Sequence, residues 1–246
     1  TKICSPDCII DMNFKPSEIN KWYKTKAGDI NSKLITDAIS KVFYVTSDKK
    51  IIYFGPHSIV KKIMNDNYSF NSFFISSFNN ADIKAEIQKL PFQDASIDFV
   101  VLIHSLDMNE NPHGAFREID RVLADEGKII VAGFNRLSFL GIYSFLPINS
   151  IFRNKNYLNI GRLSDWISLF SLEVKQIFNI NKIPPLKNKK IIKYLTFLNN
   201  NIFSKINYFG NSYVFFASKK TYKFISVKDW HKRDNIVLGK FPKPII

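Results

Sequence analysis

The chain has 246 residues, 46% of them hydrophobic and 23% charged, and a formal net charge of +14. Length and apolar content fit a folded α/β domain with a sizeable core and exclude a disordered chain. No apolar run reaches the roughly 18 residues that a membrane span needs.

Residues 1–15 read as irregular. The segment opens without a basic stretch or a long apolar run, so no secretory signal is expected. Cys4 and Cys8 offer at most two metal ligands with no histidine nearby, short of the four a structural zinc site takes, so no metal is expected. So few cysteines are expected to be reduced thiols, which points to a cytoplasmic protein.

From Pro16 to about Phe43 the apolar residues keep helical spacing, with an interruption expected at Ala27-Gly28-Asp29, so two helices are predicted. Lys50 to Phe54 is a short strand. Gly55-Pro56-His57-Ser58 then opens a helix to about Asn65, and Ser72 to Ser77 is a second strand. Asp82 to Ile87 leads into Leu90-Pro91-Phe92. Ile97 to Ile103 is a β-branched and apolar run apart from Asp98, the mark of a strand buried on both faces. Asn111-Pro112 starts a helix, because proline is tolerated in a first turn. Its stripe is Ala115, Phe116, Ile119, Val122 and Leu123. Gly127 is expected to end that helix, and Lys128 to Ala132 is the next buried strand. Strand, helix and strand at this length predict a right-handed parallel crossover. The sheet's carboxyl edge, where open α/β sheets bind ligands, then falls near His104 and Gly133.

Residues 142–160 read as an aromatic, Asn-rich insertion. Gly161 to Phe170 fits an amphipathic helix with Asp165 near its start, and Leu172 to Ile177 a further strand. Pro184-Pro185 breaks the chain before a basic helix at 188–207, and Ser212 to Ser218 is the last strand. One α/β domain over 1–220 is expected: a seven-stranded doubly wound sheet with helices on both faces. A basic, weakly ordered tail is expected over 221–246.

Five short motifs stand in order between Leu90 and Gly127. They are Leu90-Pro91-Phe92, Asp94-Ala95-Ser96-Ile97-Asp98, His104-Ser105-Leu106-Asp107, Arg117-Glu118 through Arg121-Val122-Leu123, and Gly127. This order and spacing resembles the core of class I S-adenosylmethionine-dependent methyltransferases, closest to the methyltransferase type 11 group. Ile97 replaces the usual Phe, Asp107 the usual Glu, and Glu126 the first of two usual Gly. The resemblance covers roughly residues 20–220. It implies a Rossmann-like sheet whose last strand is antiparallel, S-adenosylmethionine as cofactor, and methyl transfer to an O, N or C of a small or medium-sized acceptor.

The resemblance also assigns site residues. Trp22-Tyr23-x-Thr25-x-x-Gly28 is similar to a segment that serves as a lid over the cofactor pocket, which gives a helical lid over about 16–43. A purely structural helix–helix turn fits the same residues. The glycine-rich first motif keeps only Gly55, with His57 at the start of the helix behind it. Ser77 stands where relatives carry a ribose-binding carboxylate. Glu86 holds the position of an adenine-binding acid, or is a solvated charge at a strand end, and Ile87 supplies an apolar face for the ring. His104 is a candidate general base, histidine being the side chain most often used for proton transfer, or a wall of the methionine end of the pocket. Asn135 and Arg136 are candidate acceptor contacts, and Asp107 a turn cap.

The charge is one-sided. Residues 1–150 hold 17 Lys+Arg and 17 Asp+Glu, whereas residues 151–246 hold 18 and 4. Such asymmetry suits contact with nucleic acid or an anionic surface, and compositional drift toward Lys, Asn and Ile gives the same pattern. A reading of another class is therefore a catalytically inactive methyltransferase-fold protein. Its basic part, 151–246, would bind RNA or another anionic partner.

Overall fold

The computed structural model describes residues 16–43, 48–66, 69–77, 80–138, 157–170, 172–181 and 210–220. Five helices lie among them: α1 (Pro16–Tyr23), α2 (Lys26–Ser40), α3 (His57–Asp66), α4 (Pro112–Val122) and α5 (Ile160–Leu169). Seven strands form one sheet: β1 (Ile51–Phe54), β2 (Ser72–Ser76), β3 (Ile83–Lys84), β4 (Ile97–Ile103), β5 (Leu123–Phe134), β6 (Leu172–Ile180) and β7 (Ser212–Lys219). Their order is β3-β2-β1-β4-β5-β7-β6. Pairings among β1 to β5 are parallel, and β7 runs antiparallel to both β5 and β6. The seven-stranded Rossmann-like sheet with its last strand antiparallel stands as expected.

The central strands show why the chain takes this form. Ile51, Tyr53, Phe99, Val101, Ile103, Ile130, Ala132 and Phe134 turn to one face, under α1, α2 and α3. Ile52, Phe54, Val100, Leu102, Ile129 and Val131 turn to the other, under α4 and α5. Successive side chains of a strand point to opposite faces, so a run without polar residues needs cover on both. The α4 stripe supplies part of it: Ala115, Phe116, Ile119 and Val122 are fully buried.

Three local expectations are corrected. The break between the first helices lies at Lys24-Thr25, not at Ala27 to Asp29. Thr25 caps α2, its Oγ1 accepting from Gly28 N at 3.2 Å. A Cβ on Gly28 would lie 2.2 Å from the carbonyl oxygen of Trp22, so this glycine lets two helices meet at a tight corner. Helix α4 ends at Val122 rather than at Gly127. Its terminal carbonyls already have partners: Ala95 N donates to Arg121 O and Ser96 N to Val122 O, both at 2.9 Å, and Lys219 Nζ donates to Asp120 O at 2.7 Å. The chain passes straight into β5, and Glu126 takes a left-handed φ of 62° inside it. Helix α5 starts under Asn159, whose Oδ1 accepts from Gly161 N at 3.2 Å, so Asp165 sits within the helix and not at its start. The insertion at 142–156, the basic helix at 188–207 and the tail at 221–246 lie outside the described residues.

Arg121 ties the motif region together. Its Nη1 donates to Phe92 O at 3.0 Å and to Asp94 at 2.5 Å. Its Nη2 donates to Leu90 O at 3.2 Å and to Glu118 Oε1 at 2.7 Å. Glu118 Oε1 also accepts from Leu90 N at 2.8 Å. The Arg121 guanidinium holds the Glu118 carboxyl below its ordinary range, outweighing the opposing effect of burial. The loop at Leu90 to Phe92 is thereby bound to α4.

Candidate functional site

A cavity of about 430 Å³ opens at the carboxyl ends of β1, β2 and β4. Between β1 and β4 the strand order reverses direction along the chain, the place where open α/β sheets take ligands. Gly55 forms its base, with φ 141°, a conformation that favours glycine. A Cβ there would lie 2.3 Å from the carbonyl oxygen of Ile103, so the chain can turn over the end of β4 only with glycine at this point. One wall carries the hydroxyls of Ser76 and Ser77 and the side chains of Ala85, Glu86 and Ile87. The opposite wall carries Ser105, Met108, Asn109 and Glu110. Gln88 Nε2 donates to Asn109 Oδ1 at 2.9 Å and links the two walls.

Gly55, Ser77, Glu86 and Ile87 are thus brought together around one cavity. His57, His104 and Asn135 do not line it. His57 stands in the first turn of α3 with its ring edge-on to Phe74 at 5.6 Å. Asn135 is buried and its Oδ1 accepts from Leu137 N at 3.0 Å. Ser105, Met108, Asn109 and Glu110 were absent from the sequence-based set. The signal for them is positional: they follow His104 beyond the end of β4, where the loop must pass along the cavity.

His104 lies behind that loop, wholly buried, with a left-handed φ of 53°. Its ring stacks on Phe134 at 3.9 Å between centroids. Its Nδ1 lies 3.1 Å from Asp107 Oδ2 and its Nε2 lies 2.5 Å from the Tyr23 hydroxyl. Asp107 is no turn cap: it is buried, and Oδ2 also accepts from Phe134 N at 3.0 Å. Its Oδ1 is buried without a partner among the described residues.

Burial pushes the Tyr23 phenol well above its ordinary range, Asn31 pulls against this, and the Asp107 charge adds to the rise. Burial and then Asp107 raise Tyr157 and Tyr213 in the same way. Tyr23 is therefore a donor at neutral pH. An assignment with neutral His104 satisfies the whole chain of contacts: Tyr23 O–H donates to Nε2, and Nδ1–H donates to Asp107. This leaves a basic nitrogen oriented by a carboxylate, the arrangement of a general base and its orienter.

Helix α1 covers this side. Trp22 meets Phe134 edge-on at 5.4 Å, and Tyr23 reaches His104 from the same helix. Asn20 accepts from Ser58 N at 3.3 Å and from Ser58 Oγ at 2.9 Å, so α1 also covers the amino end of α3.

Comparison with known proteins agrees with this architecture. Residues 61–131 match the family model described as a methyltransferase domain. The uncharacterized protein YafS of Escherichia coli (strain K12) is 35% identical over 104 residues, 42% of this chain and 43% of that protein. The match thus spans less than half the length of that relative. A solved chain of the Haloferax volcanii complex containing the Trm112 methyltransferase activator superposes with a TM-score of 0.60 at 14% identity, covering 85% of this chain and 98% of that one. An S-adenosylmethionine-dependent methyltransferase from Archaeoglobus fulgidus does so with a TM-score of 0.56 at 12% identity, covering 76% and 94%. In motif and in fold the chain resembles class I S-adenosylmethionine-dependent methyltransferases of the type 11 group.

Proposed function

We propose that this protein is an S-adenosylmethionine-dependent methyltransferase acting on a small or medium-sized acceptor. The observation that carries the reading is the cavity of about 430 Å³ at the sheet's switch point. Its volume suits a cofactor-sized ligand, and its donor set suits this one. Glu86 would accept from the adenine amine and Ile87 would face the ring. The Ser76 and Ser77 hydroxyls would bond the ribose, with less energy than the carboxylate found in relatives. The missing Cβ of Gly55 would let the backbone close on the ligand. When bound, the cofactor supplies an electrophilic methyl group on a sulfonium.

The chain's own contribution is positioning and proton handling. The loop from His104 to Met108 separates the cavity, lined by Ser105 and Met108, from His104 and Asp107 behind it. An acceptor that displaced the Tyr23 hydroxyl from His104 Nε2 would give its proton to that nitrogen, while Asp107 accepts from Nδ1. The packed aromatic surroundings exclude water from that step.

Titration calorimetry with S-adenosylmethionine tests the reading. Heat at micromolar cofactor is the expected result. Its absence at high micromolar concentration would overturn the enzyme. It would leave the binding protein with a basic 151–246 part, whose affinity for RNA must then fall with salt.

A further inference from the structure

The cavity at the switch point is acidic in a basic chain. The sequence holds 35 Lys and Arg against 21 Asp and Glu. Yet the cavity is lined by two carboxylates, Glu86 and Glu110, and by no Lys, Arg or His. Lys84 and Lys89 flank Glu86 in the sequence and do not line it. Neither carboxylate is in an ion pair with a described residue. We propose that Glu110 selects the ligand by charge. With Glu86 it makes the cavity a seat for a cationic adenine nucleoside, which holds the charged cofactor and lets the neutral product go. This rests on the cofactor proposed above and assigns a specificity residue to the same site.

Glu110 is free for this task. In the proposed site Glu86 bonds the adenine amine, whereas the Glu110 side chain is exposed and makes no hydrogen bond with a described residue. The start of α4 does not need it as a cap, because Asn111 Oδ1 accepts from Gly114 N at 2.9 Å. Its place on the wall is fixed by its neighbour. Asn109 Oδ1 accepts from Gln88 Nε2 and from Asn111 N, both at 2.9 Å. The loop is thus pinned to the opposite wall and to the start of α4 on either side of Glu110.

The chemistry of the ligand gives the charge its meaning. S-adenosylmethionine has a sulfonium, an ammonium and a carboxylate, one net positive charge at neutral pH. On methyl transfer the C–S bond breaks with its electron pair left on sulfur. The acceptor's lone pair forms the new bond to carbon, and the acceptor's proton leaves to a base. S-adenosylhomocysteine is therefore net neutral, and Glu110 loses its attraction for it. Across an open, wet cavity such an attraction is small and is screened by salt. A preference of about three- to fivefold for the cation is expected, the range of an exposed charge pair.

Titration calorimetry on the full chain tests this with two pairs of probes. One is S-adenosylmethionine and S-adenosylhomocysteine; the other is 5′-amino-5′-deoxyadenosine and adenosine. In each pair the cation should bind about three- to fivefold more tightly, and high salt should shrink the preference. Glu110→Gln should reduce both preferences and leave affinity for the neutral members where it is. Glu110→Asp, which keeps the charge, should retain them. A carboxylate that serves only the positive amino end of α4 would show in the unfolding midpoint and not in the preferences. Equal binding within both pairs, preferences unchanged in Glu110→Gln, or equal losses for charged and neutral probes overturns the inference. The pairs also separate it from the cofactor reading. If neither sulfur compound binds but the aminonucleoside preference stands, methyl transfer falls and charge selection remains. If both sulfur compounds bind equally and the nucleosides do too, charge selection falls alone. Binding of no probe overturns both.

Discussion

Two regions meet at the carboxyl end of β4 and are held very differently. Behind the loop at 104–108, His104, Asp107, Tyr23 and Phe134 are buried, and each ring is fixed by stacking or by a hydrogen bond. In front of it, Ser77, Glu86, Gln88 and Glu110 are exposed on the rim of an open cavity. The buried side has one arrangement of its groups, because any slip leaves a polar atom unpaired in a dry interior. The open side tolerates change, because water satisfies whatever a substitution leaves behind. The positions that depart from the glycine-rich motif and ribose carboxylate of the family the chain resembles fall on this tolerant side, while the proposed base and its orienter lie on the other.

Substitutions should separate the two regions by their effect on stability. The largest effect is expected for Asp107→Ala. It leaves His104 Nδ1 and Phe134 N without an acceptor, at about 1–3 kcal/mol each. Removal of Oδ1, which has no partner among the described residues, offsets part of that, so a net loss of about 2–3 kcal/mol is expected in urea unfolding. A loss below about 0.5 kcal/mol would mean that the buried side is no more constrained than the rim.

Much of this contrast was legible in the sequence only on the side of the fold. The apolar run at Ile97 to Ile103, broken only by Asp98, announces a doubly covered strand, and the α4 stripe announces the helix over it. The spacing of Leu90-Pro91-Phe92 and Arg121 belongs to the motif order that resembles the family, but its reason, one guanidinium bonding two carbonyls of the loop, needs the folded chain. Glu126 stands where the resemblance leads one to expect glycine, and its φ of 62° is one that glycine adopts readily. The pairing of Tyr23 with His104 was out of reach. The two residues are 81 positions apart, and no periodicity links a helix at the start of the chain to the end of a central strand. Asp107 misled for a related reason: a short carboxylate three residues after a strand usually serves its own turn, and here burial and Phe134 N drew it inward.

An intermediate effect is expected at the Arg121 clamp, which joins the cavity's loop to the core. Arg121→Met keeps the apolar stem and loses the bonds to Leu90, Phe92, Asp94 and Glu118. A loss of about 1–2 kcal/mol at neutral pH is expected, limited by solvent at the exposed Asp94. The pH dependence identifies its source. Glu118 is held below its ordinary carboxyl range in the folded protein, so its contribution is complete above the unfolded value and is lost as pH falls through the lower folded value. The natural protein and Arg121→Met should therefore converge in stability as the medium is acidified. A gap that is constant with pH would assign the clamp's effect to the backbone carbonyls alone.

The smallest effect on stability, and the sharpest on ligand, is expected at Glu86. This side chain is exposed on the cavity rim, so Glu86→Gln should leave the unfolding midpoint where it is. The amide oxygen still accepts a hydrogen bond, but the charge is gone, and charge-assisted bonds are about twice as strong as neutral ones. A weakening of S-adenosylmethionine binding by about 1 kcal/mol, roughly fivefold, is the expected calorimetric result. Tighter binding in the variant would show that the carboxylate repels rather than holds the ligand. Unchanged binding would make Glu86 a solvated charge beside the site. Either outcome would move the recognition of the adenine to the opposite wall, where Glu110 is the remaining carboxylate of the cavity.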